Sequence, residues 1–294
     1  MGREVSALTS NQVSRRNIRL LILLSAAVYF SSYLTRLNYS AVLVEMIASE
    51  HYTRSAASAA LTGLFITYGA GQLLSGYLGD RTKPQLLIFA GLLVSAAMNL
   101  LIPLCPGTGL MTAVWCVNGL AQAMMWPPLV RILSELLSEA DYKTATVRVS
   151  WGSSLATILI YLTAPLFIQW GGWRLIFFVC AVFALVMAFV WIFCFRKLES
   201  KMRANHLVPV AHSAVNGKGT GIPSTLWGVL ALIMLAIVMQ GLLRDGITTW
   251  MPSYISETFD LGSGISILTS VALPLFSLVT FQLTEFLNSH LLRN

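Results

Sequence analysis

The sequence predicts an all-α integral membrane protein, and three observations lead to that fold class. Of the 294 residues, 56% are hydrophobic and only 11% are charged, with a mean hydropathy of +0.73; a soluble domain carries about 25% charged residues. Eight apolar stretches of spanning length follow one another, and a bilayer core ~30 Å thick needs about 20 apolar residues per helix. Membrane barrel strands would be only about 10 residues long with alternating polarity, a pattern that these stretches lack.

The eight predicted spans follow the apolar stretches in chain order. They cover residues 18–46, 56–78, 86–104, 111–133, 146–170, 173–195, 226–255 and 264–287. Glycine-rich turns follow span three (residues 106–109) and span five (residues 171–172). The long basic segment 196–225 is expected to be a solvated linker. It divides the chain into a six-helix domain (1–195) and a partial second domain with two helices (226–294).

The distribution of positive charge predicts the orientation. If the amino terminus is inside, fifteen of the 19 Lys and Arg residues lie in inside segments, and only Arg54 and Arg174 lie outside. The remaining two, Arg36 and Arg244, lie within spans. Because inside loops of membrane proteins carry the excess of Lys and Arg, we expect a multi-pass protein of the cell inner (plasma) membrane. Both termini and the linker are expected to be cytoplasmic.

Composition argues against several other classes of protein. A net charge of +7 would suggest nucleic acid as the partner of a soluble protein, but here the charges flank membrane spans, and no nucleic-acid partner is expected. The four cysteines lie inside spans without CxxC spacing, which indicates packing and no metal site. The sequence shows no nucleophile–base pair, phosphate-binding loop or paired carboxylates placed for catalysis. We therefore expect no enzymatic activity and no cofactor.

Arg36 and Arg244 are the candidate substrate-binding residues, because each lies well inside a span. A guanidinium at bilayer depth costs at least ~2.5–3.5 kcal/mol on insertion scales, so it usually faces a protein interior or a wet cavity. The alternative is structural: Arg244 could pair with Asp245 or Glu285, or either arginine could extend to a nearby interface.

The matched positions of the two arginines favour a shared site. Each lies near the middle of the first span of its half, and duplicated halves bring these helices together around a central cavity. Two planar guanidinium groups can each bind two oxygens, which suits a phosphate or a carboxylate. Four neighbouring side chains could line the same cavity, although any single aromatic residue could equally serve packing: Tyr33, Tyr68, Gln72 and Trp126.

The segment that closes span two, residues 76–84, is a candidate conformational loop. Its glycines, Gly76 among them, are expected to allow close helix approach. Asp80 can accept hydrogen bonds from a helix amino end or a nearby arginine, and Arg81 follows directly. A Gly-x-x-x-Asp-Arg pattern is weak by itself, but its position between spans two and three makes it specific.

Residues 76–83 resemble the signature loop of the major facilitator superfamily. Three further blocks, residues 33–39, 119–128 and 242–254, resemble its organophosphate:phosphate antiporter branch, which includes glycerol-3-phosphate transporters. The resemblance implies a major facilitator fold, here with a six-helix amino-terminal domain and the first two helices of the second. By position, it also implies that Arg36 and Arg244 hold the substrate phosphate and that Tyr68 and Trp126 are cavity aromatics.

Two positions depart from that branch. Gln72 stands where the glycerol-3-phosphate carriers have a lysine in helix two, and an apolar residue near Leu155 stands where they have a histidine in helix five. A site with two arginines but neither of these bases is less cationic. We therefore expect the substrate or the coupling reaction to differ from those of a glycerol-3-phosphate antiporter.

The function expected from the sequence is secondary active transport of a small organic anion by alternating access. The substrate would be a phosphorylated metabolite, such as a sugar phosphate or glycerol phosphate, or a carboxylate. Inorganic phosphate or a proton would be the coupling ion, and the protein would act as a monomer in the lipid bilayer. The alternatives are a membrane sensor for sugar phosphate with the same fold and a non-functional fragment of a transporter. An ion channel is disfavoured because no ring of charges or repeated filter motif appears.

The repeat logic further predicts a longer natural protein. A second half needs six spans, but only two follow the linker, so we expect about twelve spans in total. Two helices without their partners would expose cavity-facing groups to lipid. Transport by the 294-residue chain alone is therefore not expected.

Overall fold

The computed structural model describes residues 2–204, 224–260, 262–277, 279–280 and 283. Some side chains within these helices are not described, namely those of residues 2–14, 80, 203–204, 224–227, 230–231, 233–234, 237–238, 240, 242, 244–245 and 263. The described part is all-α, as the sequence predicts.

Nine helices are described in chain order. They are α1 (Gly2–Glu50), α2 (Arg54–Arg81), α3 (Pro84–Leu101), α4 (Thr108–Ala123), α5 (Trp126–Leu136), α6 (Glu139–Gly171), α7 (Trp173–Ala204), α8 (Ser224–Phe259) and α9 (Gly262–Thr269). A short 3-10 turn, Ile102–Leu104, follows α3. Residues 272–277 are again helical after α9.

Local sequence accounts for several helix ends. The Thr53 side chain accepts a hydrogen bond from the Ala56 backbone N–H at the start of α2, and Ser138 does the same for Asp141 at the start of α6. Pro84 occupies the first turn of α3, where its missing N–H costs nothing. Gly172 ends α6 with a φ of 72°, a conformation that glycine adopts without strain.

The fourth predicted span, residues 111–133, is interrupted. Helix α4 ends at Ala123 and α5 begins at Trp126. The cause lies in Pro127 and Pro128, which have no N–H for the carbonyls one turn earlier and whose rings crowd the preceding turn. Other helices extend past their predicted spans, and α7 continues to Ala204, so that the first nine residues of segment 196–225 are helical.

Helix α1 lies at the centre of the first half, where it packs against α6 and α7, while α2 packs on α4 and α3 on α7. Small residues bring some backbones into contact. A Cβ at Gly152 of α6 would lie 2.5 Å from the Ala26 carbonyl of α1, and one at Gly119 of α4 would lie 2.5 Å from the Leu64 carbonyl of α2. Small residues at such crossings are typical of helices packed in a membrane.

The outer surface of the bundle is apolar. Large side chains such as Leu23, Leu73, Trp170 and Phe193 are 63–79% exposed, which would be unfavourable in water. Four of the described helices are long and apolar enough to cross a membrane by length and composition. The exposed apolar surface is therefore the surface that meets lipid.

Candidate functional site

A cavity of 240 Å³ lies between α1, α2 and α6 of the first half and α8 and the segment after α9 of the second. Among the described residues, its walls combine one cation, aromatic rings and a series of hydroxyl groups. The lining residues are Tyr29, Tyr33, Arg36, Leu37, Tyr68, Trp126, Ser150, Ser153, Ser154, Thr157, Thr248, Thr249, Pro274 and Ser277.

Arg36 is the cation of this cavity, and it is only 6% exposed. Its guanidinium carbon lies 4.5 Å from the ring centroid of Tyr33, one turn earlier on α1, and 5.3 Å from that of Tyr68 on α2. Both distances fall within the range of cation–π attraction, which is stronger where the cation is desolvated. The two rings thus stabilise a positive charge that the sequence places at bilayer depth.

Further aromatic contacts hold these rings in place. The Tyr29 ring meets the Tyr33 ring edge-on at 5.0 Å and lies 4.9 Å from the Trp126 ring. Trp126 is the first residue of α5, directly after the break in span four. The break therefore brings an indole from α5 against the aromatic face of α1.

Three hydroxyl groups on the wall formed by α6 donate their protons to backbone carbonyls. Ser150 donates to the Thr146 carbonyl at 2.9 Å, Ser153 to the Ser150 carbonyl at 2.7 Å and Thr157 to the Ser153 carbonyl at 2.8 Å. Such local bonds satisfy a hydroxyl within an apolar span. With these bonds in place, the oxygens of Ser150, Ser153 and Thr157 can only accept hydrogen bonds from a ligand.

A buried polar network lies behind Arg36 and joins α1 to α3 and α4. At its centre, the Thr35 carbonyl accepts from the side-chain amides of Asn99 and Asn118, each at 3.1 Å. Gln122 donates to the hydroxyls of Thr35 at 3.0 Å and Ser95 at 2.9 Å. Asn38 and Ser32 extend the network from α1, through Asn99 at 2.6 Å and Gln122 at 2.5 Å, respectively. The backbone beside Arg36 is therefore fixed from two other helices.

Described polar groups of α1, α6 and α8 join the two halves. The Tyr161 hydroxyl of α6 donates to the Thr248 carbonyl at 2.7 Å, and the Ser40 hydroxyl of α1 donates to the Thr249 carbonyl. Pro252 lies inside α8 and cannot supply the N–H that the Thr248 carbonyl would receive in a regular helix. Tyr161 replaces that donor, so a helix irregularity becomes a contact between the halves.

An ion pair adds to this contact. Arg54, at the start of α2, pairs with Glu257 near the end of α8, and both side chains are half exposed. We call the end of the bundle where α1 and α8 terminate the Glu50 side, and the end where α2 terminates the Arg81 side. The contacts of Ser40, Tyr161 and Arg54 with α8 lie beyond Arg36 toward the Glu50 side.

The structure brings together four of the predicted site residues: Arg36, Tyr33, Tyr68 and Trp126 all line the cavity. Gln72, also on α2, is half-buried and is not among the described lining residues. Arg244 belongs to α8, but its side chain lies outside the described residues, as do those of its suggested partners Asp245 and Glu285.

The segment after span two differs from expectation in one respect. Among the described residues, a Cβ at Gly76 or Gly79 would have no neighbour within 4 Å, so the predicted close helix approach does not occur within the described part of the chain. Instead, the Gly79 carbonyl accepts a hydrogen bond from Arg131 of α5, which also pairs with Glu135 at 2.6 Å. Arg81 lies over the Tyr77 ring at 4.1 Å. The Asp80 side chain lies outside the described residues.

Sequence reasoning missed the hydroxyl wall of α6. Leu155 was singled out as the apolar replacement for a basic residue, but its side chain is 50% exposed and is not among the described lining residues. The available signal was the spacing of Ser150, Ser153 and Thr157, which places three hydroxyls on one helix face within an apolar span. Among the described residues, no group of three or more metal-ligating side chains forms.

Comparison with known proteins places this geometry in a family context. Residues 25–291 match the Major Facilitator Superfamily. A probable hexose phosphate transport protein of Chlamydia muridarum is 26% identical over 164 residues, covering 56% of this chain and 36% of that protein. The membrane sensor protein UhpC of Salmonella typhimurium is 26% identical over 283 residues, covering 91% and 62%. The glycerol-3-phosphate transporter of Bacillus subtilis is 24% identical over 261 residues, covering 78% and 55%.

The chain thus spans 36–62% of the length of these three relatives. Among solved structures, the proton:xylose symporter XylE has a TM-score of 0.70 at 13% identity, with 95% of this chain and 70% of that chain covered. A bacterial homolog of the human lysosomal transporter Spinster has a TM-score of 0.67 at 12% identity, with 88% and 60% covered. At these identities the structural similarity supports the fold and leaves the ligand open.

Proposed function

This chain belongs to the major facilitator superfamily, and from that premise we propose that it contributes the anion-binding site of a secondary transporter. Its relatives and its fold are those of membrane transporters and not of enzymes. The observation that carries the proposal is Arg36, buried in a cavity to which both halves contribute. A buried guanidinium in such a cavity favours an anionic ligand.

The ligand class follows from the chemistry of the site and from the relatives. A guanidinium binds the paired oxygens of a phosphate or a carboxylate, and the named relatives include hexose phosphate and glycerol-3-phosphate carriers. We propose a phosphorylated metabolite as substrate, with a carboxylate as the other possibility. Arg244 is proposed as the second arginine of the site because its place in α8 matches that of Arg36 in α1.

Alternating access is the proposed mechanism. The contacts of Tyr161, Ser40 and Arg54 with α8 support a state that is closed at the Glu50 side. By the distribution of Lys and Arg, that side would be extracellular and the Arg81 side cytoplasmic. Rocking of the halves would break these contacts and close the opposite end around the anion. The coupling ion would be inorganic phosphate or a proton, and the carrier would act as a monomer in the plasma membrane.

A sensor is the second candidate function, because the relative that matches the greatest share of this chain among the three described is a membrane sensor protein. A sensor and a carrier can share a binding site, so binding alone does not separate them. Uptake of labelled glucose 6-phosphate into vesicles that contain the natural protein does separate them. Uptake would support a carrier, whereas binding without uptake would support a sensor.

Binding tests the anion site directly. The purified chain in lipid nanodiscs is titrated with inorganic phosphate, glucose 6-phosphate and glucose. We expect the two phosphates to bind, glucose to bind at least tenfold more weakly than glucose 6-phosphate, and Arg36→Gln to abolish phosphate binding. Arg174→Gln, which removes a positive charge outside the cavity, is the control. Equal binding of glucose and glucose 6-phosphate would refute the anion site.

A further inference from the structure

The hydroxyl wall of α6 has a chemistry opposite to that of Arg36. We propose that Ser150, Ser153 and Thr157 determine specificity by accepting hydrogen bonds from hydroxyl groups on the neutral part of the substrate. The inference rests on the proposed function, because it assumes that the anionic group lies at Arg36. It adds that the substrate carries several hydroxyl groups on its carbon skeleton.

The direction of the hydrogen bonds carries the argument. The partners of these three side chains are backbone carbonyl oxygens, at 2.7–2.9 Å. A carbonyl oxygen cannot donate, so each hydroxyl must be the donor and its single proton is committed. The lone pairs of the three oxygens remain, and the side chains line the cavity. A ligand meets these three side chains as a row of acceptors.

A row of acceptors discriminates between ligand groups. A phosphate or carboxylate oxygen would bring lone pairs against lone pairs, and burying it there without a donor would be costly. A hydroxyl group of the ligand can donate to each wall oxygen and form an ordinary hydrogen bond. The same wall therefore favours polyol groups and disfavours a second anionic group on the substrate.

The spacing of the three hydroxyl groups along α6 indicates the size of the ligand. Residues 150, 153 and 157 lie on one face of α6, and seven residues of helix rise about 10 Å. Ser277, across the cavity, also donates its proton to a backbone carbonyl, that of Leu273, at 3.1 Å. The neutral part of the substrate thus lies between acceptors from both halves. A hydroxylated chain or ring of several carbons fits this arrangement.

A matched pair of ligands tests the proposal. Glucose 6-phosphate and cyclohexylmethyl phosphate have the same phosphate and a six-membered ring, but the second has no ring oxygen or hydroxyls. Their affinities for the purified chain in nanodiscs are measured together with that of inorganic phosphate. In the unaltered chain we expect glucose 6-phosphate to bind at least tenfold more tightly than its analogue.

Variants of the wall should reduce this preference selectively. In the double variant Ser153→Ala with Thr157→Val, two acceptors are lost, and the preference should fall about tenfold. Inorganic phosphate should keep its affinity within about twofold, since it needs only the arginine end. Thr163→Val is the matched control: Thr163 of α6 also donates to a carbonyl one turn earlier, at 2.7 Å, but does not line the cavity. The Thr163→Val variant should keep the full preference for glucose 6-phosphate over its analogue.

The outcomes separate this proposal from the proposed function. An unchanged ligand preference in the double variant, with inorganic phosphate still bound, would overturn the role of the wall and leave the anion site standing. Absence of phosphate binding in the unaltered chain would overturn the anion site itself. Thr157→Ser combined with native Ser153 preserves both acceptors and should retain the full preference. A loss of preference in this variant would also contradict the proposal.

Discussion

Two regions that flank Arg36 are held together in different ways. On one side, amide and hydroxyl groups of α1, α3 and α4 form a buried network around Thr35. On the other, α8 accepts one hydroxyl hydrogen bond from α1 and one from α6, and it forms a half-exposed ion pair with Arg54 of α2. The first region connects helices of one half, and the second connects the two halves.

The difference teaches which parts should move together. In a low-dielectric interior, breaking one member of an amide network leaves several buried groups unsatisfied, so α1, α3 and α4 should move as one body. The described polar contacts with α8 are separate hydrogen bonds and one ion pair, so that breaking one leaves the others intact. Arg36 belongs to the rigid body, and it faces a cavity whose other wall can separate from it.

The largest effect is expected for Arg36, which lies between the two regions, and for Arg244, its proposed partner in the site. Arg36→Lys and Arg244→Lys should each weaken binding of glucose 6-phosphate at least thirty-fold, because an ammonium group cannot reproduce bidentate geometry. Loss of such a desolvated charged partner costs ~2–5 kcal/mol. Calorimetric titration in nanodiscs measures the change. If Arg244 is instead neutralised by Asp245 for structural reasons, Arg244→Lys would keep most binding and Asp245→Asn would impair folding.

The next effect concerns the network. Gln122→Leu removes a side chain that bonds to Ser32, Thr35 and Ser95, and it should lower the free energy of unfolding by about 1–3 kcal/mol. Thermal unfolding in detergent measures the loss. The control is Gln169→Leu at an exposed position of α6, which should change little. Equal unfolding temperatures for the two variants would mean that the network does not make this half rigid.

A smaller effect is expected between the halves. Tyr161→Phe removes one hydrogen bond to the Thr248 carbonyl, worth ~1 kcal/mol, or about a fivefold change in an equilibrium. We expect faster maleimide labelling, from the Glu50 side, of a cysteine introduced at Leu37 after removal of the four native cysteines. Tyr142→Phe on the same helix is the control. Slower labelling in the Tyr161 variant would contradict a closing role for this bond.

The smallest effect is expected at the ion pair. Arg54→Gln should increase the same labelling rate less than Tyr161→Phe does, because exposed pairs contribute only ~0.2–1 kcal/mol and are screened by salt. The increase should disappear at high ionic strength. An increase that persists at high salt would indicate that Arg54 acts through packing and not through its charge.

Sequence reasoning predicted that Arg36 faces a cavity, as the structure shows, and missed the hydroxyl groups of α6 that line the same cavity. A charge such as Arg36 is costly in lipid, so its presence alone indicates a cavity. Ser and Thr cost little in a membrane helix because they bond to their own backbone. Whether such a hydroxyl group faces the cavity depends on how α6 is rotated about its own axis in the bundle. No local sequence pattern determines that rotation. This rotation turns Leu155 outward and Thr157 inward.

The break in span four shows a similar limit. The residues around Met124 and Met125 are apolar, so the hydropathy of span four shows no gap there. Averaging hydropathy over a whole span conceals the helix break caused by Pro127 and Pro128. At the signature segment, Gly76 indicated close packing, but the space beside it depends on neighbours that are distant in sequence. Long helices such as α6 and α7 were predictable because length and apolar composition determine them.

The volume of the cavity has a consequence for hydration. A space of 240 Å³ has room for several water molecules. A polar ligand that fills this space must release that water to the bulk, so binding is coupled to the activity of water. Membrane-impermeant osmolytes, which lower that activity, should tighten ligand binding, and the slope of affinity against osmotic pressure would count the waters that the substrate replaces.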